Sequence, residues 1–279
     1  MRSPNMRIAA LAAGLLSLSG ATVAMADGYQ RPGPVAPRAF SWTGFYIGGN
    51  GGWARSNDQT VHVLETNPGL PGGTPVDIFS DNFGSLSPSG GFGGVQVGAN
   101  LQIGAVVLGF EADGQLADIA GDSSATVDYS FQGVPDGRTV TVATSNRVNR
   151  FGTLRPRIGL AWDRTLVYAT GGLAWGRVGH TMSWDLGPGD FVATDKFAGT
   201  QVGYVVGGGI EHAFAPRVSL KVEYQYIDLG TQRYTAQEFP VDPGLGIFKV
   251  ETNTRTDFHT VRLGLNFKLG PSAEPAPYK

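Results

Sequence analysis

The chain contains no cysteine. An exported domain without disulfides must hold itself together through its core or by closing its sheet. It also has no apolar run approaching the roughly 20 residues that a membrane-crossing helix needs. The mean hydropathy is −0.07, a value that does not exclude a membrane barrel, because alternating strands cancel in any average. Charge is scarce and balanced, with 16% charged residues and a net charge of −2. The absence of a basic stripe argues against a nucleic-acid partner. Motifs that carry chemistry are missing too. There is no HExxH, P-loop or EF-hand pattern, and His62, His180, His212 and His259 are scattered without metal-pair spacing. Gly121-Asp122-Ser123 has the composition of a serine-hydrolase fragment, but without a strand–turn–helix context it reads as a turn. No catalytic residue, cofactor or metal is expected, and the chain does not read as an enzyme.

Glycine is the most conspicuous residue that is present, at 42 of 279. That frequency disfavours helix and suits a tightly curved sheet. The N-terminus has a positive start (Arg2, Arg7), a short apolar stretch from Ile8 to Leu18, and small residues Ala24 and Ala26 in an A-x-A pattern. This is the layout of a cleaved secretory signal peptide over residues 1–26. Residues 27–40, with Pro32, Pro34 and Pro37, read as an extended linker. A barrel is expected over residues 41–270, followed by a Pro-rich tail at 271–279.

Eight segments between those limits alternate apolar and polar residues with period two: Trp42–Arg55, Gly91–Gln102, Ala105–Leu116, Arg147–Trp162, Thr165–Arg177, Gly199–Phe214, Val218–Asp228 and Thr256–Leu269. Such patterning specifies β-strands with one apolar face. Each has at least the roughly 9–11 residues that a tilted strand needs to cross a membrane. The connections alternate too. Ile103-Gly104, Asp163-Arg164 and Ala215-Pro216-Arg217 are short, whereas residues 56–90, 117–146, 178–198 and 229–255 are long. The long ones hold the turn-formers Asn67-Pro68-Gly69, Pro135-Asp136-Gly137 and Asp242-Pro243-Gly244. Short periplasmic turns alternating with longer extracellular loops are the habit of outer-membrane barrels. The expected fold is therefore all-β: an eight-stranded antiparallel up-and-down transmembrane β-barrel, with both termini periplasmic.

In such a barrel the apolar face meets lipid and the polar face lines the interior. Glu111, Asp113, Arg155, Arg157, Glu211, Lys221, Glu223, Arg262 and Lys268 all fall on the polar parity of their strands. Eight strands leave a lumen just wide enough for side chains to fill, so these charges are expected to pair there, with some solvated at the rims. Trp42, Phe45, Trp162, Phe214 and Phe267 would form one aromatic girdle, and Trp53, Trp175 and Tyr226 the other.

The run Trp42-Thr43-Gly44-Phe45-Tyr46-Ile47-Gly48-Gly49-Asn50 resembles the opening strand of the alpha-proteobacterial porin-family small outer-membrane proteins, also called outer-membrane immunogenic proteins. Gly109-Phe110-Glu111-Ala112-Asp113, Arg155-Pro156-Arg157-Ile158-Gly159 and Tyr168-Ala169-Thr170-Gly171-Gly172-Leu173-Ala174 are similar to the same family. The resemblance covers Trp42 to Leu269 and leaves the long loops unmatched. It implies an eight-stranded barrel like the OmpA type, surface abundance and a role in envelope integrity. The last strand, with Arg262, Gly264, Phe267 and Leu269, looks like the signal read by the barrel-assembly machinery. It departs from the usual pattern by continuing into the Pro-rich tail. The expected partners are outer-membrane lipid, lipopolysaccharide and that machinery; the oligomeric state stays open. A structural, surface-displaying barrel is the leading reading, with a narrow solute channel and loop-mediated binding as alternatives.

Overall fold

The structure, a computed structural model, describes residues 40–57, 59–60, 62–66, 85–131, 134–185, 192–235, 239–240 and 247–270. The expected signal peptide, most of the linker, the tail, and the turn-formers at 67–69 and 242–244 lie outside them. Eight long strands make the fold: β1 (Gly44–Ser56), β2 (Ser89–Ile103), β3 (Val106–Phe131), β4 (Val134–Trp162), β5 (Thr165–Asp185), β6 (Val192–Ala215), β7 (Val218–Thr235) and β8 (Ile247–Lys268). Each pairs antiparallel with its sequence neighbour, and β1 pairs with β8 to close the ring. Closure removes the unpaired edges that an open sheet would expose. The up-and-down eight-stranded barrel expected from alternation is the observed fold. Among the described residues three short additions flank it: His62–Thr66 pairs with the far part of β8, Phe239–Pro240 pairs with the first residues of β8, and Gln59–Thr60 pairs with Ser85–Leu86.

The short turns fall where expected. Gly104 (φ 62°) and Asp163 (φ 50°) occupy the left-handed region that tight turns demand. The long connections differ from expectation. Strand pairing continues through most of them, so β3 and β4 run 26 and 29 residues and remain paired out to Phe131 and Val134. Gly121-Asp122-Ser123 is therefore strand, not turn, and Pro135-Asp136-Gly137 lies within β4. Beyond the membrane both faces of a hairpin can be wet. The apolar alternation then disappears while the backbone ladder persists, which is why these stretches look like loop in sequence.

The molecule is inside-out relative to a water-soluble domain. Large apolar residues such as Phe45, Ile47, Val95, Leu108, Ile158, Leu173, Val222 and Leu263 are exposed around the whole outer wall. Arg155, Lys221 and Arg262 are among the most completely buried side chains. A contiguous apolar wall of that extent requires lipid, not water, around it. The wall ends at a definite height. On β5 the outward residues are Val167, Ala169, Gly171, Leu173 and Trp175, and the next one is Arg177. On β1 they run from Phe45 to Trp53, about 26 Å of strand, and then comes Arg55.

Candidate functional site

Among the described residues, the largest convergence of charge, burial and strand register lies in the interior. Glu111 on β3 stands opposite Arg155 on β4 in register, and Glu223 on β7 stands opposite Arg262 on β8. Pairing of neighbouring strands thus brings opposite charges together without any contact across the ring. Closure then joins the two pairs across the lumen. Arg155 reaches Glu111 (2.6 Å), Asp113 (3.0 Å) and Glu223 (2.7 Å). Arg262 reaches Glu223 (2.6 Å), Asp113 (3.2 Å) and Glu111 (3.2 Å). Lys221 is the register partner of Glu211, yet its ammonium crosses to Glu111 at 2.7 Å. Glu211 is taken instead by Arg157, at 3.0 Å.

Neutral groups complete the network. Tyr46 donates its hydroxyl hydrogen to Glu111 (2.7 Å), and Tyr168 does so to Glu223 (2.5 Å). The Arg157 guanidinium lies 4.9 Å and 5.2 Å from the centres of those two rings. Thr153 donates to Asp113 (2.6 Å), and Ser219 (2.5 Å) and Asn266 (2.8 Å) donate to Glu211. Four acids face four bases, so the buried assembly carries no excess charge. Charge neutrality with dense hydrogen bonding is the condition under which ion pairs survive desolvation. Glycines make room for it: a Cβ on Gly264 would meet the Lys221 side chain at 2.9 Å, and one on Gly209 the Tyr168 hydroxyl at 2.9 Å.

Apolar layers lie on both sides of the charges. Towards the long hairpins, Phe92, Ile119, Val148, Phe151, Val178, Ile227, Leu229 and Phe258 form one buried cluster. Phe151 sits edge-on to Phe92 (5.2 Å) and to Phe258 (5.5 Å). Towards the short turns, Trp42, Val107, Ala161, Leu166, Tyr168 and Ala213 form another, with Phe40 against it.

Most residues singled out from sequence face as their parity requires, with two corrections. Lys268 is not a member of the network. It lies at the turn-end mouth, where its ammonium bonds the Ser41 carbonyl (2.5 Å) and faces the Phe40 ring. Trp42 is not part of a lipid-facing girdle. It is 5% exposed, folded into that mouth with Phe40 edge-on at 5.1 Å, because it shares the inward parity of Tyr46 and not the outward parity of Phe45. Phe45, Trp162, Phe214 and Phe267 face outward near the turn end, and Trp53 and Trp175 near the other; Tyr226 is half-buried there. On β8, Arg262 and Gly264 face inward and Phe267 outward, and Leu269, just past the strand's end, is exposed as well. Sequence reasoning passed over Tyr46 and Tyr168, although both lie on the polar parity. It also passed over the apolar layers, which occupy inward positions where polar residues were expected. Among the described residues no cluster of potential metal ligands occurs.

Residues 9–270 match the family model for the outer membrane protein beta-barrel domain. The chain belongs to that family. This outer membrane β-barrel protein is similar to the 31 kDa outer-membrane immunogenic protein of Brucella melitensis, with 36% identity over 261 residues, 89% of this chain and 95% of the relative. It is also similar to the 22 kDa outer membrane protein of Rhizobium leguminosarum bv. viciae, with 28% identity over 237 residues, 85% of this chain and 82% of that one. Among solved structures, the outer membrane protease OmpT of Escherichia coli aligns over 84% of this chain and 99% of its own, at 9% identity and a TM-score of 0.43. A likeness that distant says nothing about activity.

Proposed function

We propose that this outer-membrane barrel is a structural, non-enzymatic component of the envelope that stabilises the membrane and displays its long hairpins outside the cell. The observation that carries the reading is the filling of the lumen. A buried, neutral charge network lies between two apolar layers. A solute passing through would have to break ion pairs and displace packed aromatic rings. In this reading the short turns face the periplasm, the hairpins face outward, and β8 carries the signal for the assembly machinery.

Planar-bilayer recording of the purified, folded protein tests the reading against a narrow channel. No stable conductance steps are expected; large, stable steps would overturn it. Its envelope role is tested in cells lacking the gene. They should become sensitive to detergents, and a copy with shortened hairpins should restore resistance. Failure of any copy to change resistance would leave only the display role.

A further inference from the structure

The outer wall carries one concentration of positive charge that the lumen does not explain. Arg150 on β4 and Arg177 on β5 are direct register partners, and both are exposed. Arg147, opposite Gly179, is exposed on the same two strands. A bulge creates the arrangement. The β4–β5 register slips between Val148 and Arg150, so Asn149 and Arg150 both face outward, Val148 turns into the apolar layer, and Arg147 turns out. Like charges placed directly opposite across strands are destabilising. Asp118 is exposed at the same height on β3, yet among the described residues none of the three arginines forms an ion pair.

The height of the cluster identifies what can neutralise it. Trp175 lies on the outer face of β5 one outward position below Arg177, about 7 Å along the strand. Its indole lies across Gly152 of β4, where an added Cβ would meet the ring at 2.6 Å. Amphipathic rings of this kind mark the headgroup level. Leu116, the β3 register partner of Arg150, is 76% exposed. Arginine forks therefore stand directly above apolar wall. Such a surface suits an anion attached to acyl chains better than a soluble one, and guanidinium groups match phosphate bidentately.

We propose that Arg147, Arg150 and Arg177 bind the phosphorylated headgroup of an outer-leaflet lipopolysaccharide, whose acyl chains descend past Leu116 and Trp175. The choice of lipid rests on the orientation given under the proposed function. The test titrates the folded full-length protein in detergent micelles with fluorescent lipopolysaccharide, followed by anisotropy. The R147Q/R150Q/R177Q variant should bind at least about tenfold more weakly. Arg55→Gln, on the opposite side of the ring, should bind like wild type. Dephosphorylated lipid should bind wild type and triple variant equally weakly. The unboiled-versus-boiled gel shift verifies that each variant is folded. Unchanged affinity in the triple variant, or no discrimination by the wild type between the two lipids, would overturn the site. A separate arm labels Ser124→Cys in intact cells with a membrane-impermeant maleimide. Labelling is expected. Labelling only after permeabilisation would overturn the outer-leaflet occupant through its orientation, while the arginine dependence measured in micelles would show that the site itself had not failed.

Discussion

Arg155 shows what the interior depends on at the scale of one residue. It is 1% exposed and holds three carboxylates, those of Glu111, Asp113 and Glu223. Replacing it with Met turns the neutral cluster into one with an uncompensated negative charge, so Arg155→Met should cost about 3–5 kcal/mol, measured by urea unfolding in lipid. Arg255→Gln removes an ion pair to Asp228 and a longer hydrogen bond to the Tyr226 hydroxyl from a guanidinium that is 55% exposed, and should cost far less because solvent screens that pair. His180 lies on β5 beyond Arg177, above the apolar wall. There, hydrogen-bonded to Asn146, burial pushes its imidazole pKa below the ordinary histidine value. The folded state then binds fewer protons than the unfolded one, so stability rises with pH and is lost as pH falls below the unfolded value of about 6.5. Hydrogen-exchange protection factors along β4 and β5, after correction for the intrinsic pH dependence of exchange, should fall on acidification across that window, and His180→Gln should abolish the effect. The network acids and bases were legible from parity alone. Lys268 was not, because parity says which face a residue takes and nothing about where along the barrel the network ends. Trp42 has the inward parity of Tyr46, so an aromatic girdle was the wrong place for it on its own strand's alternation.

The eight strands were legible at the scale of elements wherever lipid touches them, since lipid on one face and a polar lumen on the other impose period two. Above the wall the rule lapses. Ser123, Ser124 and Thr126 show no apolar alternation, yet their backbones pair with Thr144, Ala143 and Thr141. The β3–β4 extension is thus an appendage on a barrel that is already closed below it. Replacing residues 123–144 with an Asn-Gly turn between the paired Asp122 and Ser145 should leave a folded barrel. A retained heat-dependent gel shift would check this, and its loss would mean that the hairpin is required for folding. The bulges were not visible in sequence. A slip such as Asn149 depends on the register of two neighbouring strands, which one strand's pattern does not contain.

At the scale of the whole molecule, stability and impermeability have one cause: the lumen is filled in layers. Phe151 bridges Phe92 and Phe258, so Phe151→Ala should cost about 3–5 kcal/mol and open the apolar layer without touching the charges. Combined with Arg155→Ala it should yield small conductance events in planar bilayers where wild type yields none; silence from the folded double variant would show that the remaining layer seals the lumen alone. The sequence by itself determined the strand number, the short turns, the lipid-facing side and the inward parity of the eight network charges, because each follows from local spacing and alternation; it did not exclude Lys268 from them. Tertiary structure alone decided which charges meet, since Lys221 leaves its register partner Glu211 for Glu111 across the lumen. It also decided that two apolar layers seal the charges in. Both outcomes depend on distances across a closed ring, which only the closing of β1 onto β8 defines.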